Sequence, residues 1–222
     1  MKNQISIPLP SLHLATAKDA FRPFVNYIQF KRFERPGSYG RPGMYATATD
    51  AHILCTANLA DHLSNLEELP DEFYMKPDQY KLLTGSKVSY LSFSESTIQT
   101  FDKSGEPLNI ASFVPAEKLE FRYPDWPSVL PIFWDYSEDN NLRSNFSVDS
   151  KLLCRLAQVM DRAPIVLRFN RHSISAMYGE PQENGYTICL VMERKISDPD
   201  AYFQQIAEHQ AILHHSYRLT EV

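Results

Sequence analysis

Hydrophobic and polar residues alternate along much of this chain in short runs rich in β-branched and aromatic side chains, the pattern of strands with one buried face. Three sets of runs recur. The first covers 25–33, 44–49 and 52–57, the second 88–93, 97–101 and 108–113, and the third 165–169, 173–178 and 186–192. Before each set a short strand leads into a helix. Residues 72–74 run into the helix-opening 75–83, and residues 145–147 run into 148–156. Residues 5–10 followed by 12–21 form a looser example. The helix starts are legible, because Pro77 suits a first helical position and Asp149 can cap orphan amides. The pattern therefore predicts strand–helix–three strands, repeated three times with a period of about 70 residues. Such a unit lays a helix on one face of an antiparallel sheet, so the expected class is α+β, with paired units sharing a core.

Two connections break the pattern. Residues 35–43 form a turn-rich hairpin loop, and 131–143, with Asp135, Glu138 and Asp139, read as an acidic linker. The predicted division is a two-unit domain over 1–131, a linker over 132–144, a third unit over 145–196 and a helical tail over 197–222. In that tail Tyr202, Ile206, His209 and Leu213 fall at helical spacing.

Composition adds little to the class and more to the exclusions. Hydrophobic residues make up 43% and charged residues 22% of 222, which fits a globular chain. Fifteen Pro against 7 Gly, with 12 Tyr and 13 Phe, point to rigid turns and aromatic cores. No run approaches the roughly 18 apolar residues of a membrane span, and the N-terminus lacks the apolar core of a signal peptide. Cys55, Cys154 and Cys189 lie far apart in apolar runs with no metal-ligand spacing, the usage of reduced, buried thiols in a cytosolic protein. The net charge of −5 argues against a chain that coats nucleic acid over its whole surface, but not against a local basic face.

Three stretches resemble the bacterial sliding clamp, the β subunit of DNA polymerase III. Ala48-Thr49-Asp50-Ala51-His52-Ile53-Leu54 is similar to that family's A-T-D-G-H-R-L hairpin. Phe121-Arg122-Tyr123-Pro124-Asp125-Trp126-Pro127-Ser128-Val129-Leu130-Pro131 is similar to R-F-P-D-Y-R-R-V-L-P, and Arg22-Pro23-Phe24-Val25-Asn26-Tyr27-Ile28-Gln29-Phe30 to R-Y-Y-L-N-G-M-L-F. Their order matches the family's middle domain, while 145–196 resemble the second half of its last domain. The likeness spans roughly 4–196.

The resemblance implies a non-enzymatic ring or arc without cofactors, its helices lining a channel around duplex DNA and its sheets forming the rim. Binding of that kind is electrostatic and independent of sequence. The basic residues available to the helices are Lys18, Lys76, Lys81, Lys87, Lys151, Arg155 and Arg162; on ordinary grounds they are also solvated helix faces. The resemblance further implies a pocket that takes peptides of DNA polymerases or other clamp-binding proteins. Carried over residue by residue, its lining is Val25, Thr49, His52, Leu54, Pro124, Val129 and Met192, of which Val25, Leu54 and Val129 also read as core strand positions. Departures weaken the match. Ala51 replaces the hairpin glycine, Ile53 and Ser128 replace arginines, and Glu193 and Arg194 put charge where the family has proline and methionine.

A family chain carries twice as many units, so the third unit here is expected to lack an intramolecular mate. Either third units pair in a homo-oligomer, a dimer or tetramer, or the helix over 198–216 covers them. The rival reading is a clamp-derived interaction module that binds a protein and no longer encircles DNA. A weaker rival is a hydrolase built on Asp50, His52 and Cys55, although strand alternation would put Cys55 on the opposite face. His209, His214 and His215 are a nominal metal cluster in the tail.

Overall fold

The computed structural model describes residues 2–6, 8–34, 42–64, 66, 69–128, 150–160, 166–169, 173–178 and 187–192. In chain order the elements are β1 (Lys2–Gln4), β2 (Ile28–Phe33), β3 (Gly43–Thr49), β4 (Ile53–Asn58), β5 (Glu72–Met75), α1 (Pro77–Lys81), β6 (Tyr90–Phe93), β7 (Thr97–Phe101), β8 (Pro107–Ser112), β9 (Val114–Pro115), α2 (Ser150–Val159), β10 (Val166–Phe169), β11 (Ser173–Tyr178) and β12 (Thr187–Met192). They build two antiparallel sheets. One is four-stranded in the order β1-β6-β7-β8, and the other eight-stranded in the order β10-β11-β12-β4-β3-β2-β5-β9.

The sheet order is an exchange of leading strands. β1 leaves the segment it precedes and pairs with β6, with Asn3 opposite Leu91. β5 does the converse and pairs with β2, with Phe30 opposite Phe73. Neither segment can therefore close its sheet alone, and both contribute to one core. That core holds Leu12 and Ala15, Ile28 and Phe30, Met44, Ala46 and Ala48, Ile53 and Cys55, Phe73 and Met75, Tyr80 and Leu83, and Leu91, Ile98 and Phe113. Phe30 and Phe73 stack at 4.4 Å between centroids, and Phe113 packs on Phe73 at 4.7 Å.

α2 and β12 join the same body, whereas the sequence left the third unit without an intramolecular mate. β12 pairs antiparallel with β4, from Thr187 opposite Ala57 to Val191 opposite Ile53. α2 packs against the 3-10 turn Leu12–Ala15 and sends Leu156 and Val159, with Met160 after it, into the common core. Ser11 N–H also donates to Val159 C=O at 3.2 Å. The mate is thus segment 2–58: the ladder satisfies the edge of β4, and the apolar face of α2 supplies the area.

The helix expected over 12–21 is replaced by one 3-10 turn, Leu12–Ala15, and a second such turn follows it at Pro23–Asn26. Polar side chains here outcompete the helical ladder. Thr16 Oγ1 donates to His13 C=O at 2.8 Å, and Asp19 Oδ1 accepts from Phe21 N–H at 2.8 Å and Arg22 N–H at 3.1 Å. The first strand also lies earlier than expected, since Pro8 and Pro10 cannot donate to a ladder. The strand at 145–147, the linker and the helical tail fall outside the described residues.

Candidate functional site: helix layer, hairpin end and outer-face cavity

The eight-stranded sheet has a second, outer face. Side chains alternate along β2, so Ile28 and Phe30 enter the core while Gln29, Lys31 and Phe33 point away from it. Residues 116–128 cross this outer face and bury Tyr123 and Trp126 against Tyr45, Leu54 and Tyr74. Trp126 meets Phe33 edge-on at 5.1 Å and Tyr45 at 5.6 Å, and Tyr123 donates its hydroxyl to Thr47 C=O at 3.1 Å. The Pro- and aromatic-rich run at 123–127 is therefore the cover of a second aromatic cluster.

Under that cover lies a polar ladder across β2 and β5, where Gln29 faces Tyr74 and Lys31 faces Glu72. Glu72 accepts from Gln29 Nε2 at 2.8 Å, pairs with Lys31 Nζ at 2.9 Å and takes a hydrogen bond from the Tyr74 hydroxyl. Trp126 Nε1 closes the network on Gln29 Oε1 at 3.2 Å. Burial pushes the Glu72 carboxyl up, but the bonds from Tyr74, Lys31 and Gln29 outweigh it and hold it below its ordinary value. Burial, then the Glu72 bond, push the Tyr74 phenol well above its own. The ladder floors a cavity of about 260 Å³ that is walled by Phe33, Phe121 and Tyr123 and rimmed by Arg122, Pro124 and Asp125.

The helical elements form one layer on the opposite side of the sheet, with α1 and α2 both against Leu12–Ala15. Lys76, Lys81, Lys87 and Lys151 are exposed on and beside α1 and α2, and Lys18 is exposed after the first 3-10 turn. Arg155 departs from this set. Its guanidinium pairs with the buried Asp50 carboxylate, which ties α2 to the β3–β4 hairpin instead of leaving the charge open to solvent. Arg162 lies outside the described residues.

Asp50 organises that hairpin as well. Its Oδ1 accepts from His52 N–H and Ile53 N–H, both at 2.8 Å. Ala51 between them has φ 75°, in the left-handed region that favours glycine. This is the position where the resembling motif carries glycine.

The residues expected to line a peptide pocket gather only in part. His52 and Pro124 are exposed, and Met192 stands one residue beyond the Val191–Ile53 pair, level with His52. Val25 has no exposed surface, and Leu54 is buried under Tyr123 and Trp126. Thr49 is also buried, donating to Ile53 C=O at 2.7 Å and accepting from Ala51 N–H at 3.0 Å. Val129 lies outside the described residues. The catalytic rival does not assemble, because Asp50 is spent on the turn and Arg155, His52 is exposed, and Cys55 is fully buried in the core. Cys154 is exposed on α2, not buried as its apolar run led one to expect. The three tail histidines lie outside the described residues, and among those described no group of three or more potential ligands could hold a metal ion. No helix there is long and apolar enough to cross a membrane.

Sequence reasoning missed the cavity floor. Alternation over Gln29, Lys31 and Phe33 signals a face with its own partner, but the partner strand β5 comes from the exchange.

No family model matches the sequence, and no curated protein matches it either. Among solved structures the fold is similar to the Helicobacter pylori beta clamp. In complex with carprofen that clamp gives a TM-score of 0.56 at 11% identity, over 88% of this chain and 67% of that one. In complex with 3,4-difluorobenzamide it gives 0.52 at 11% identity, over 87% and 66%. The chain thus spans about two thirds of the length of the clamp chains it resembles. Likeness at this identity establishes a clamp-like fold.

Proposed function

We propose that this chain is a sliding-clamp-like accessory protein of DNA replication, non-enzymatic, whose helix layer faces duplex DNA and whose hairpin end docks partner peptides. One observation carries the reading. Helices gather on one side of strand-exchanged antiparallel sheets, an arrangement that aligns with a beta clamp over 88% of the chain. In this reading the elements form three strand–helix–three-strand units, two in a domain over 1–131 and one over 145–196.

Lys18, Lys76, Lys81, Lys87 and Lys151 are the phosphate-facing set, to which Arg162 also belongs. With Arg155 committed to Asp50, affinity depends on fewer charges than the sequence offers. Exposed Lys side chains on a helix surface suit backbone contact without base readout. At the hairpin, His52, Pro124, Val129 and Met192 are assigned to the partner groove, and Val25, Thr49 and Leu54 to its support. A homo-oligomer, dimer or tetramer, supplies further units. The edge strand β8, where Ile110 is 63% exposed, favours sheet-to-sheet contact between copies.

A salt titration of binding to a random-sequence duplex tests this. The expected result is binding at low salt that falls steeply and linearly in log–log form, with equal affinity for unrelated sequences. Absence of duplex binding at low salt refutes the DNA role and leaves the protein-binding module.

A further inference from the structure

Arg155 belongs to the helix layer by position and is held out of it by a single contact. It follows Lys151 by one turn on α2, so the two share a face of that helix. Its guanidinium nevertheless turns to Asp50, on the hairpin between β3 and β4. The geometry of the pair suits exchange better than permanent locking. Nη1 engages carboxylate Oδ2, and the guanidinium makes no other hydrogen bond among the described residues. The arginine side chain is 36% exposed and the aspartate side chain 8%, so an anion can approach the arginine from solvent. Asp50 does not need Arg155 to keep its place, because Oδ1 accepts from His52 N–H and Ile53 N–H at 2.8 Å each.

We propose that the Asp50–Arg155 pair is an autoinhibitory contact, in which a hairpin carboxylate occupies an arginine that would otherwise meet a phosphate of the duplex backbone. A guanidinium fork matches carboxylate and phosphate alike, so Asp50 is an internal stand-in for the ligand. A duplex lying on Lys151 brings its phosphates within reach of the next helical turn. Recruiting Arg155 to them, however, leaves a buried carboxylate without its cation, which is costly. The chain therefore meets DNA mostly with Arg155 withheld, and its apparent affinity is lowered by the small fraction of molecules in which Arg155 is free. Asp50 also shapes the turn that carries His52, so the hairpin end sets how many cations the helix layer offers. This regulation rests on the helix layer being the DNA face.

The test is fluorescence anisotropy of the full chain with a labelled random-sequence duplex at several salt concentrations. Asp50→Asn keeps an acceptor for both turn amides and removes the charge that holds Arg155. It should bind about three- to tenfold more tightly than the wild type, with a salt slope steeper by roughly one contact. Asp78→Asn, exposed on α1, removes an equal charge from the same layer without freeing an arginine, and should gain less than about twofold. Arg155→Gln should stay within about twofold of the wild type, and adding it to Asp50→Asn should abolish the gain. Thermal melts check that each chain is folded. If Asp50→Asn is not, Arg155→Gln against Lys76→Gln decides, since only Lys76→Gln should weaken binding severalfold. A gain that survives Arg155→Gln, no gain over Asp78→Asn, or a severalfold loss from Arg155→Gln alone overturns the proposal while the DNA reading stands. No duplex binding by any chain at low salt overturns both.

Discussion

Truncating Leu156 to alanine tests whether α2 and the strands after it form one body with the first 128 residues. Leu156 is 1% exposed and lies in the core cluster with Leu12, Ile53 and Tyr80. The transfer contribution of the lost methylenes is roughly 0.8 kcal/mol each, and the residual cavity raises the cost to about 3–5 kcal/mol. A chain of this size loses roughly 2–4 °C per kcal/mol, so the melting temperature should fall by about 6 °C or more. Thermal melts followed by far-ultraviolet circular dichroism and by tryptophan fluorescence provide the assay. Both probes should shift together, because Trp126 reports the outer face of the same sheet that β12 extends. Gln158→Ala, exposed on the same helix, should stay within about 0.5 kcal/mol of the wild type. An unchanged fluorescence transition, with only a helical signal lost early, would show instead that α2 folds apart from the first 128 residues.

Three further outcomes follow from the hairpin and the ladder. Asp50→Ala should destabilise more than Arg155→Ala in urea titrations, since it removes the partner of Arg155 and leaves the His52 and Ile53 amides without acceptors, at about 1–3 kcal/mol for the unsatisfied groups; equal costs would contradict the shared role of Asp50. Ala51→Gly should raise stability by up to about 1 kcal/mol, because φ 75° favours glycine; a loss of stability would show the turn is not strained. The folded Glu72 carboxyl is held below its ordinary value, so its stabilisation is present above the unfolded carboxylate value and lost as pH falls through the depressed one. Stability measured across that acid window should therefore fall less steeply for Glu72→Gln, and parallel curves would refute the assignment.

The local elements were readable because alternation is a short-range signal. β7 and β11 fall where the pattern put them, and α1 begins at Pro77 as its chemistry requires. The first helix was misread because Thr16 and Asp19 bond the local backbone, a competition that apolar spacing does not encode. The long-range parts were hidden for a different reason. Pairing of β12 with β4, and of β5 with β2, depends on which edges remain open after each segment folds. No run of residues displays that. The hairpin motif draws the eye to Asp50, yet charge spacing on α2 could not show that Arg155 would turn to it. The run at 123–127 was conspicuous in composition, but only packing reveals that Tyr123 and Trp126 roof a polar ladder.

If duplex DNA meets the helix layer, two charge-reversed chains should differ in duplex affinity. Lys76→Glu with Lys81→Glu alters that layer, whereas Lys103→Glu with Lys118→Glu makes the same charge change on the β7–β8 turn and on the segment covering the outer face. The first pair should lose about tenfold or more in duplex affinity and flatten the salt slope by roughly two contacts, while the second should stay near the wild type. Equal losses for the two pairs would mean that only net charge matters, and would contradict a DNA-facing helix layer.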